Sequence, residues 1–394
     1  MNRPPADGRP RPLDRGRGPN MLRPKAWEKN MKTAEFYDSL ATRSLAGEAL
    51  TADECEALLV SPEVDLLPLV YAAYRVRHAH FGKDVTLHII NNAQNGLCPE
   101  DCHYCTQAKT SEADIEKYPI KSDEEILDEA RRAYEGGAHR YCMVFSGRGP
   151  NTKRTETLAR LVRKIKANYN IEVCVSAGLL DEEKAGVLKE AGLDRLNHNL
   201  NTASGHYDKI CTTHTYEDRL STIRAARKHG LSLCSGMIVG IGESHSDVVE
   251  VALTLRELGA ESIPVNFLLP FEGTPLTPPR SLTPEYGVRV LCLFRLTNPR
   301  AEIRIAAGRE LHLRSLQPLA LQAANSLFLE GYLNGKGDAA NNTLRMLAEA
   351  GMRIVSDHPL ESLLQQHEGA EERRERLVRL NVLKTHQDLR PTLD

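Results

Sequence analysis

Eight short runs of strand character alternate with amphipathic helical patterns between residues 86 and 331, and this alternation constrains the fold more than any other feature. The strand runs are TLHIIN (86–91), RYCMVFSG (140–147), IEVCVSAG (171–178), RLNHNLN (195–201), SLCSGMIVG (232–240), SIPVNFLLP (262–270), EIRIAAG (302–308) and NSLFLEG (325–331). Between them lie DEEILDEARRAYEGG, DEEKAGVLKEAG, YEDRLSTIRAARKHG and HSDVVEVALTLRELG, each closed by the glycine expected just past a helix end. Eight such units predict an α/β chain folded as a (β/α)8 TIM-type barrel. A doubly wound open sheet would show the same alternation. Closure is favoured by the polar residues at every second position, Asn197, Asn199 and Asn201, then Cys234 and Gly236, which suit a lined cavity.

The flanks read differently. Residues 1–32 combine Pro, Gly and Arg with almost no apolar material and predict a disordered basic tail, with Met21 and Met31 as alternative starts. A mitochondrial transit peptide is the competing reading, weakened by Asp7, Asp14 and the prolines. Residues 33–82 predict an N-terminal helical cap, 83–352 the barrel, and 353–394 a charged, solvated C-terminal extension. The 51 basic and 53 acidic residues give a formal charge of −2, so no chain-wide cationic excess exists for a nucleic acid. No apolar run approaches the roughly 18 residues of a membrane span, and no export signal is visible, so a cytoplasmic protein is expected. In a reducing compartment the nine cysteines read as thiols, metal ligands or catalytic groups rather than a disulfide framework.

The sharpest motif is NGLCPEDCHYCTQA, which sets Cys98, Cys102 and Cys105 in a C-x3-C-x2-C run directly after the first strand. Three thiolates on one short loop can hold three irons of a cubane cluster and leave the fourth iron open to a small molecule. A structural zinc module is the alternative from another class, with His103 as the nearby completing ligand. Cys142, Cys174 and Cys234 stand mid-strand, where a lone cysteine is usually a small core residue, but three of them with Arg304 could converge inside a barrel. Cys55, Cys211 and Cys292 read as structural or incidental.

The C-x3-C-x2-C loop at this place resembles the radical S-adenosylmethionine enzymes. Together RYCMVFSG, IEVCVSAG, LNHNLNT, LCSGMIVGIGE, SIPVNFL and IRIAAGRE, within residues 64–352, resemble the biotin synthase family in order and spacing. That resemblance implies sulfur insertion into dethiobiotin by a radical sulfurtransferase. It implies a 4Fe-4S cluster on Cys98, Cys102 and Cys105, and a sulfur-donating 2Fe-2S cluster on Cys142, Cys174, Cys234 and Arg304. Cys98, Cys102, Cys105 and Arg304 are then the catalytic set. Asn197 and Asn266 would contact the ureido group. Tyr104, Asn199, Asn201, Arg219 and Ile238 would hold S-adenosylmethionine, with Arg219 on its carboxylate. Expected partners are dethiobiotin, a reductant such as flavodoxin or ferredoxin, the iron–sulfur assembly machinery and a second copy in a homodimer, with no nucleic acid or membrane. Leu196 and Asn201 depart from a family motif that often begins with Tyr and in some members ends with Asp. The likeness also fades near YLNGKGD, leaving the substrate's carboxylate unassigned. Within the same barrel class, a methylornithine synthase-like or hydrogenase-maturation-like enzyme is the alternative, and neither needs the inner cysteines.

Overall fold

The computed structural model describes residues 31–276 and 282–367. Residues 1–30 and 368–394, most of the two expected tails, lie outside the described residues.

Among the described residues there are ten strands: β1 (Asp84–Gln94), β2 (Arg140–Phe145), β3 (Glu172–Ser176), β4 (Arg195–Asn197), β5 (Ser232–Cys234), β6 (Met237–Val239), β7 (Ser262–Phe267), β8 (Glu302–Ile305), β9 (Ser326–Phe328) and β10 (Arg353–Ile354). All pairings are parallel, and β9 returns to β1 with Thr86 opposite Ser326 and His88 opposite Phe328. The sheet is therefore a closed barrel with eight positions, and the open-sheet alternative is excluded.

The fifth position, read from the sequence as one strand, is split into β5 and β6. Register continues from Cys234 opposite Ser262 to Met237 opposite Val265, so Gly236 faces Pro264. Proline has no N–H to give the ladder. A side chain at Gly236 would meet the Pro264 carbonyl oxygen at 1.9 Å, so glycine stands there to let the two backbones pass. The fourth strand is also shorter than its sequence run. It ends at Asn197, and a bridge from Asn201 to Met237 carries the extended segment onward.

Alternation along the strands separates two environments. Tyr141, Met143 and Phe145 of β2 and Val173 and Val175 of β3 face outward and are buried against Leu158, Leu161 and Val162 of helix Thr152–Asn168. Ile303 and Ile305 of β8 join the same outer layer elsewhere in the barrel. The intervening residues, Arg140 and Cys142, Glu172 and Cys174, Glu302 and Arg304, point inward. The apolar core thus lies between strands and helices, leaving the barrel interior polar.

Helices form where the sequence places them, and Asp123–Glu135, Tyr216–Lys228 and His245–Glu257 each begin with a reciprocal capping box. The N-terminal helices Ala34–Ala46, Ala52–Val60 and Leu66–Phe81 pack on the flank formed by His245–Glu257 and Pro284–Thr297. Arg289 ties them there through the carbonyls of Leu58 (3.0 Å) and Val64 (2.6 Å). β10 pairs with the start of β1, and helix Leu360–His367 buries Leu363 beside helix Ala340–Glu349. Both belong to the stretch read as a solvated extension; Leu360 and Leu363 supply an apolar face that the neighbouring charge density hides. Among the described residues no helix is long and apolar enough to cross a membrane.

Candidate functional site

The cavity opens at the carboxyl ends of the strands, where the connecting loops converge. Its mouth is formed by the loop after β1. Gly96 and Leu97 have φ of 73° and 57°, which turns the chain sharply before Cys98. Cys105 N–H then donates to the Cys102 carbonyl (3.0 Å) and Ala108 N–H to that of Cys105 (3.2 Å). These bends wind three thiols around one short segment lining the cavity.

Asp101 anchors this loop by accepting from the Thr212 (2.9 Å) and Thr213 (3.2 Å) amides, and Glu100 accepts from Thr213 Oγ1 (2.7 Å). Those bonds, with the Thr212 hydroxyl, hold the Asp101 carboxyl far below its ordinary range despite its desolvation. Burial pushes the Cys105 thiol up to about 11 and raises Cys98 as well. Cys102 is pushed up furthest, by its hydrogen bond to Cys211 and then by burial. Thiols in this state ionise when a metal supplies the compensating charge.

Deeper in the barrel lies the second set. Cys142 and Cys174 are register partners on β2 and β3, and Cys234 ends β5. With Ala306 and Phe328 the three form one buried cluster. Cys174 is in hydrogen-bond contact with both other thiols and is itself raised by that role. Cys142 and Cys234 are held below ordinary thiol values, first by Cys174 and then, against burial, by the Arg304 and Arg140 guanidiniums. Arg304 Nη1 donates to Cys234 Sγ at 3.6 Å. The guanidinium is fixed from behind: Nη2 donates to Glu302 Oε1 (2.6 Å) and Ser262 Oγ (2.7 Å), and Nε to Ser326 Oγ (3.3 Å).

This floor includes residues that sequence reasoning missed. Glu302 also accepts from Arg140 through Nη1 (2.9 Å) and Nη2 (3.1 Å), from Ser262 Oγ (2.8 Å) and from Thr86 Oγ1 (3.2 Å). Burial would favour a neutral acid, but Arg140, His88 and Arg304 outweigh it and hold the carboxyl well below its usual value. His88 is driven neutral by burial and by Arg304. The usable signal was placement: Arg140 and Glu302 lie two residues from Cys142 and Arg304, hence on the same inward face.

The remaining candidates all line this cavity. Asn197 Nδ2 lies 3.3 Å from both the Cys234 carbonyl and Cys234 Sγ, and 3.3 Å from Asn199 Oδ1. Asn199 Oδ1 also accepts from Gly236 N–H (3.1 Å). Asn201, at φ 71°, donates to the Tyr104 hydroxyl (2.6 Å), and its carbonyl accepts from Ile238 N–H (2.8 Å). Asn266 donates to the Met237 carbonyl (3.1 Å) and accepts from Ala307 N–H (3.3 Å), which leaves one amide hydrogen for a ligand. Arg219, from helix Tyr216–Lys228, spends one N–H on the Asn199 carbonyl (2.9 Å), one on His214 Nε2 (2.9 Å) and one on the Tyr207 hydroxyl. Among the described residues one N–H on each terminal nitrogen has no partner, which leaves two donors for a ligand in the cavity.

The donor chemistry fits two iron–sulfur groups. The outer loop sets three thiols on the cavity wall, one short of a structural zinc site, while His103 is outside that lining with Nδ1 on the Lys209 carbonyl (2.9 Å), and the inner set adds a guanidinium, which does not serve zinc.

Two family models match, the Radical SAM superfamily over residues 95–255 and the Biotin and Thiamin Synthesis associated domain over residues 264–353. Biotin synthase of Magnetococcus marinus is 56% identical over 315 residues, covering 80% of this chain and 98% of that one. Biotin synthase of Acaryochloris marina is 55% identical over 303 residues, 77% of this chain and 88% of its own. Among solved structures, methylornithine synthase superposes with a TM-score of 0.69 at 22% identity, covering 82% of this chain and 98% of its own. The FeFe-hydrogenase maturase of Carboxydothermus hydrogenoformans gives 0.69 at 16%, covering 88% and 85%. At such identities the two structures attest the barrel and not the chemistry, whereas the sequence relatives extend over nearly the whole family length. This chain belongs to the biotin synthase family of the radical SAM superfamily.

Proposed function

We propose that the protein converts dethiobiotin to biotin, the last step of biotin biosynthesis, with its two cysteine sets acting as separate cluster sites. The observation that carries this reading is the inner set: three cysteines from three strand positions and one guanidinium share a buried floor beneath the cavity. A radical enzyme that only cleaved S-adenosylmethionine would have no use for it.

When bound, a 4Fe-4S cluster supplies the electron that cleaves S-adenosylmethionine to a hydrogen-abstracting radical, and a 2Fe-2S cluster supplies the inserted sulfur. Cys98, Cys102 and Cys105 would hold the first, and Cys142, Cys174, Cys234 and Arg304 the second. Arg304 is an unusual ligand because a guanidinium normally keeps its proton. Here Glu302 and Ser262 occupy Nη2 and Ser326 faces Nε, so Nη1 is the nitrogen presented to the cysteines.

The other residues bind and orient. The two remaining donors of Arg219 would take the methionine carboxylate, Asn199 and Asn201 the ribose, and Ile238 with Tyr104 the adenine. Asn197, beside Cys234, and the single free N–H of Asn266 would take the ureido group of dethiobiotin. Those contacts set the substrate above the inner cysteines, and the barrel wall excludes water from the reacting carbons. A cytoplasmic homodimer served by a flavodoxin- or ferredoxin-type reductant and the iron–sulfur assembly machinery completes the reading.

The test is an anaerobic incubation of reconstituted protein with S-adenosylmethionine, reductant and dethiobiotin, assaying biotin and 5′-deoxyadenosine. Wild type should make both, and Cys142→Ala should make 5′-deoxyadenosine without biotin. Cluster-loaded wild type that cleaves S-adenosylmethionine without forming biotin would overturn the assignment.

A further inference from the structure

Cys211 lies outside both cysteine sets, yet its sulfur accepts a hydrogen bond from Cys102 Sγ at 3.7 Å. The two loops that carry these residues are fastened on both sides of the pair. His103 N–H donates to the Ile210 carbonyl (2.9 Å), and His103 Nδ1 meets that of Lys209 (2.9 Å). On the other side Asp101 accepts from the amides of Thr212 (2.9 Å) and Thr213 (3.2 Å), and its own N–H donates to Thr213 Oγ1 (3.2 Å). These bonds hold the two backbones together on either side of the pair, and a covalent bond requires the sulfurs to close from 3.7 Å to ~2.05 Å. Access is one-sided. Cys102 lines the cavity, while Cys211 is 1% exposed and does not.

His214 also lies near, with Nδ1 3.3 Å from Cys211 Sγ, so Cys102, Cys211 and His214 have the outline of a metal site. Its ring is already committed, Nδ1 to Glu100 Oε2 (2.5 Å) and Nε2 to Arg219 (2.9 Å). A metal would have to break one of these bonds. A disulfide breaks neither.

We propose that, in the cluster-free protein, Cys102 and Cys211 form a reversible disulfide by exchange with a low-molecular-weight disulfide such as oxidised glutathione. Cys102, the member of the pair that faces the cavity, gives up its proton to solvent and attacks one glutathione sulfur as the thiolate; a mixed disulfide forms, and the departing glutathione thiolate takes up a proton. Cys211 then attacks the Cys102 sulfur, the protein disulfide forms and the second glutathione thiol leaves. In sum two protein thiols give up two electrons and two protons, and one glutathione disulfide becomes two thiols. The bond stores Cys102 in a form that thiols can restore, off the path to irreversible sulfur acids. That it also blocks loading of the outer cluster rests on the reading of Cys102 as a cluster ligand; the disulfide itself does not.

The full-length chain is stripped of iron anaerobically, treated with oxidised glutathione, alkylated and digested without reduction for mass spectrometry. The expected product joins the Cys102 and Cys211 peptides and disappears with dithiothreitol, whereas Cys211→Ser stops at glutathione on Cys102. Absence of the 102–211 linkage in wild type, or linkage of Cys102 to Cys98 or Cys105 instead, overturns the proposal. In a Cys142→Ala background, which removes an inner ligand, iron and sulfide uptake by the oxidised protein, followed by absorbance, should await dithiothreitol. Undelayed uptake there with the linkage present would uphold the thiol pair and overturn the ligand assignment of Cys102.

Discussion

Replacing Glu302 by glutamine leaves two buried guanidiniums, Arg140 and Arg304, facing an amide where a carboxylate stood. One of the two new groups is a donor set against donors. Arg140 retains Glu172, whose Oε2 accepts from Nε at 2.8 Å, but Arg304 keeps only the neutral partners Ser262 and Ser326 besides Cys234. Removing one member of a buried ion pair typically costs about 3–5 kcal/mol, because the surviving charge stays desolvated. At about 2 °C per kcal/mol for a domain of this size, the cluster-free protein should melt about 6–10 °C lower at pH 7. Glu302→Asp, which keeps the charge, should lose clearly less. The difference should also depend on pH. The folded-state carboxyl sits well below its ordinary range, so its stabilisation is full above that range and is lost as pH falls from there through the folded-state value. The gap between wild type and Glu302→Gln should therefore narrow in melts taken at successively lower pH. A Glu302→Gln protein that melts within about 1 °C of wild type at pH 7, or a gap that widens in acid, would refute the argument that this carboxylate holds the floor together.

Arg219→Lys should weaken S-adenosylmethionine binding about tenfold or more in equilibrium dialysis, because an ammonium cannot hold Asn199, His214 and Tyr207 while presenting a second pair of donors. Unchanged affinity would remove Arg219 from the binding site. Gly236→Ala should cost more than about 4 kcal/mol, visible as loss of folded soluble protein, since the added carbon would lie 1.9 Å from the Pro264 carbonyl oxygen and the backbone there cannot yield. A folded Gly236→Ala protein with wild-type urea stability would show that β5–β7 relaxes freely.

The barrel was legible because its two periods differ: outward strand residues such as Tyr141, Met143 and Val173 alternate with polar ones, while the intervening helices repeat about every 3.6 residues and carry clear caps. The split of the fifth strand was not, because it depends on Pro264 lying opposite Gly236, and register between strands is a property of the closed sheet. The cavity gathers the proposed site residues for the same periodic reason: Cys142, Cys174 and Arg304 each hold an inward position. What the sequence hid were partners distant along the chain. Arg140 and Glu302 are 162 residues apart and Cys102 and Cys211 are 109 apart, so neither pair leaves a local pattern to read. The apolar face at Leu360 and Leu363 was masked instead by charges beside it.

The two cysteine sets differ in depth, and also in the charges the fold has fixed near them. The outer thiols lie at the mouth on a loop pinned by Glu100 and Asp101, where burial, and for Cys102 first its hydrogen bond to Cys211, raises them above ordinary thiol values. The inner thiols pack with Ala306 and Phe328 but also face Arg304 and Arg140, and Cys142 and Cys234 are already biased toward thiolate. A floor of leucine and isoleucine would serve stability as well or better, since buried ion networks rarely outperform packed hydrocarbon. A structural explanation of the buried quartet His88, Arg140, Glu302 and Arg304 is therefore weak. Its geometry makes sense as a device that fixes one guanidinium nitrogen, Arg304 Nη1, and a surplus of positive charge against sulfur ligands. By this argument the charged floor belongs to the inner site as much as the cysteines do. Replacing Arg140 by methionine should then reduce inner-cluster occupancy, measured as iron per chain, even if the protein's melting temperature is preserved.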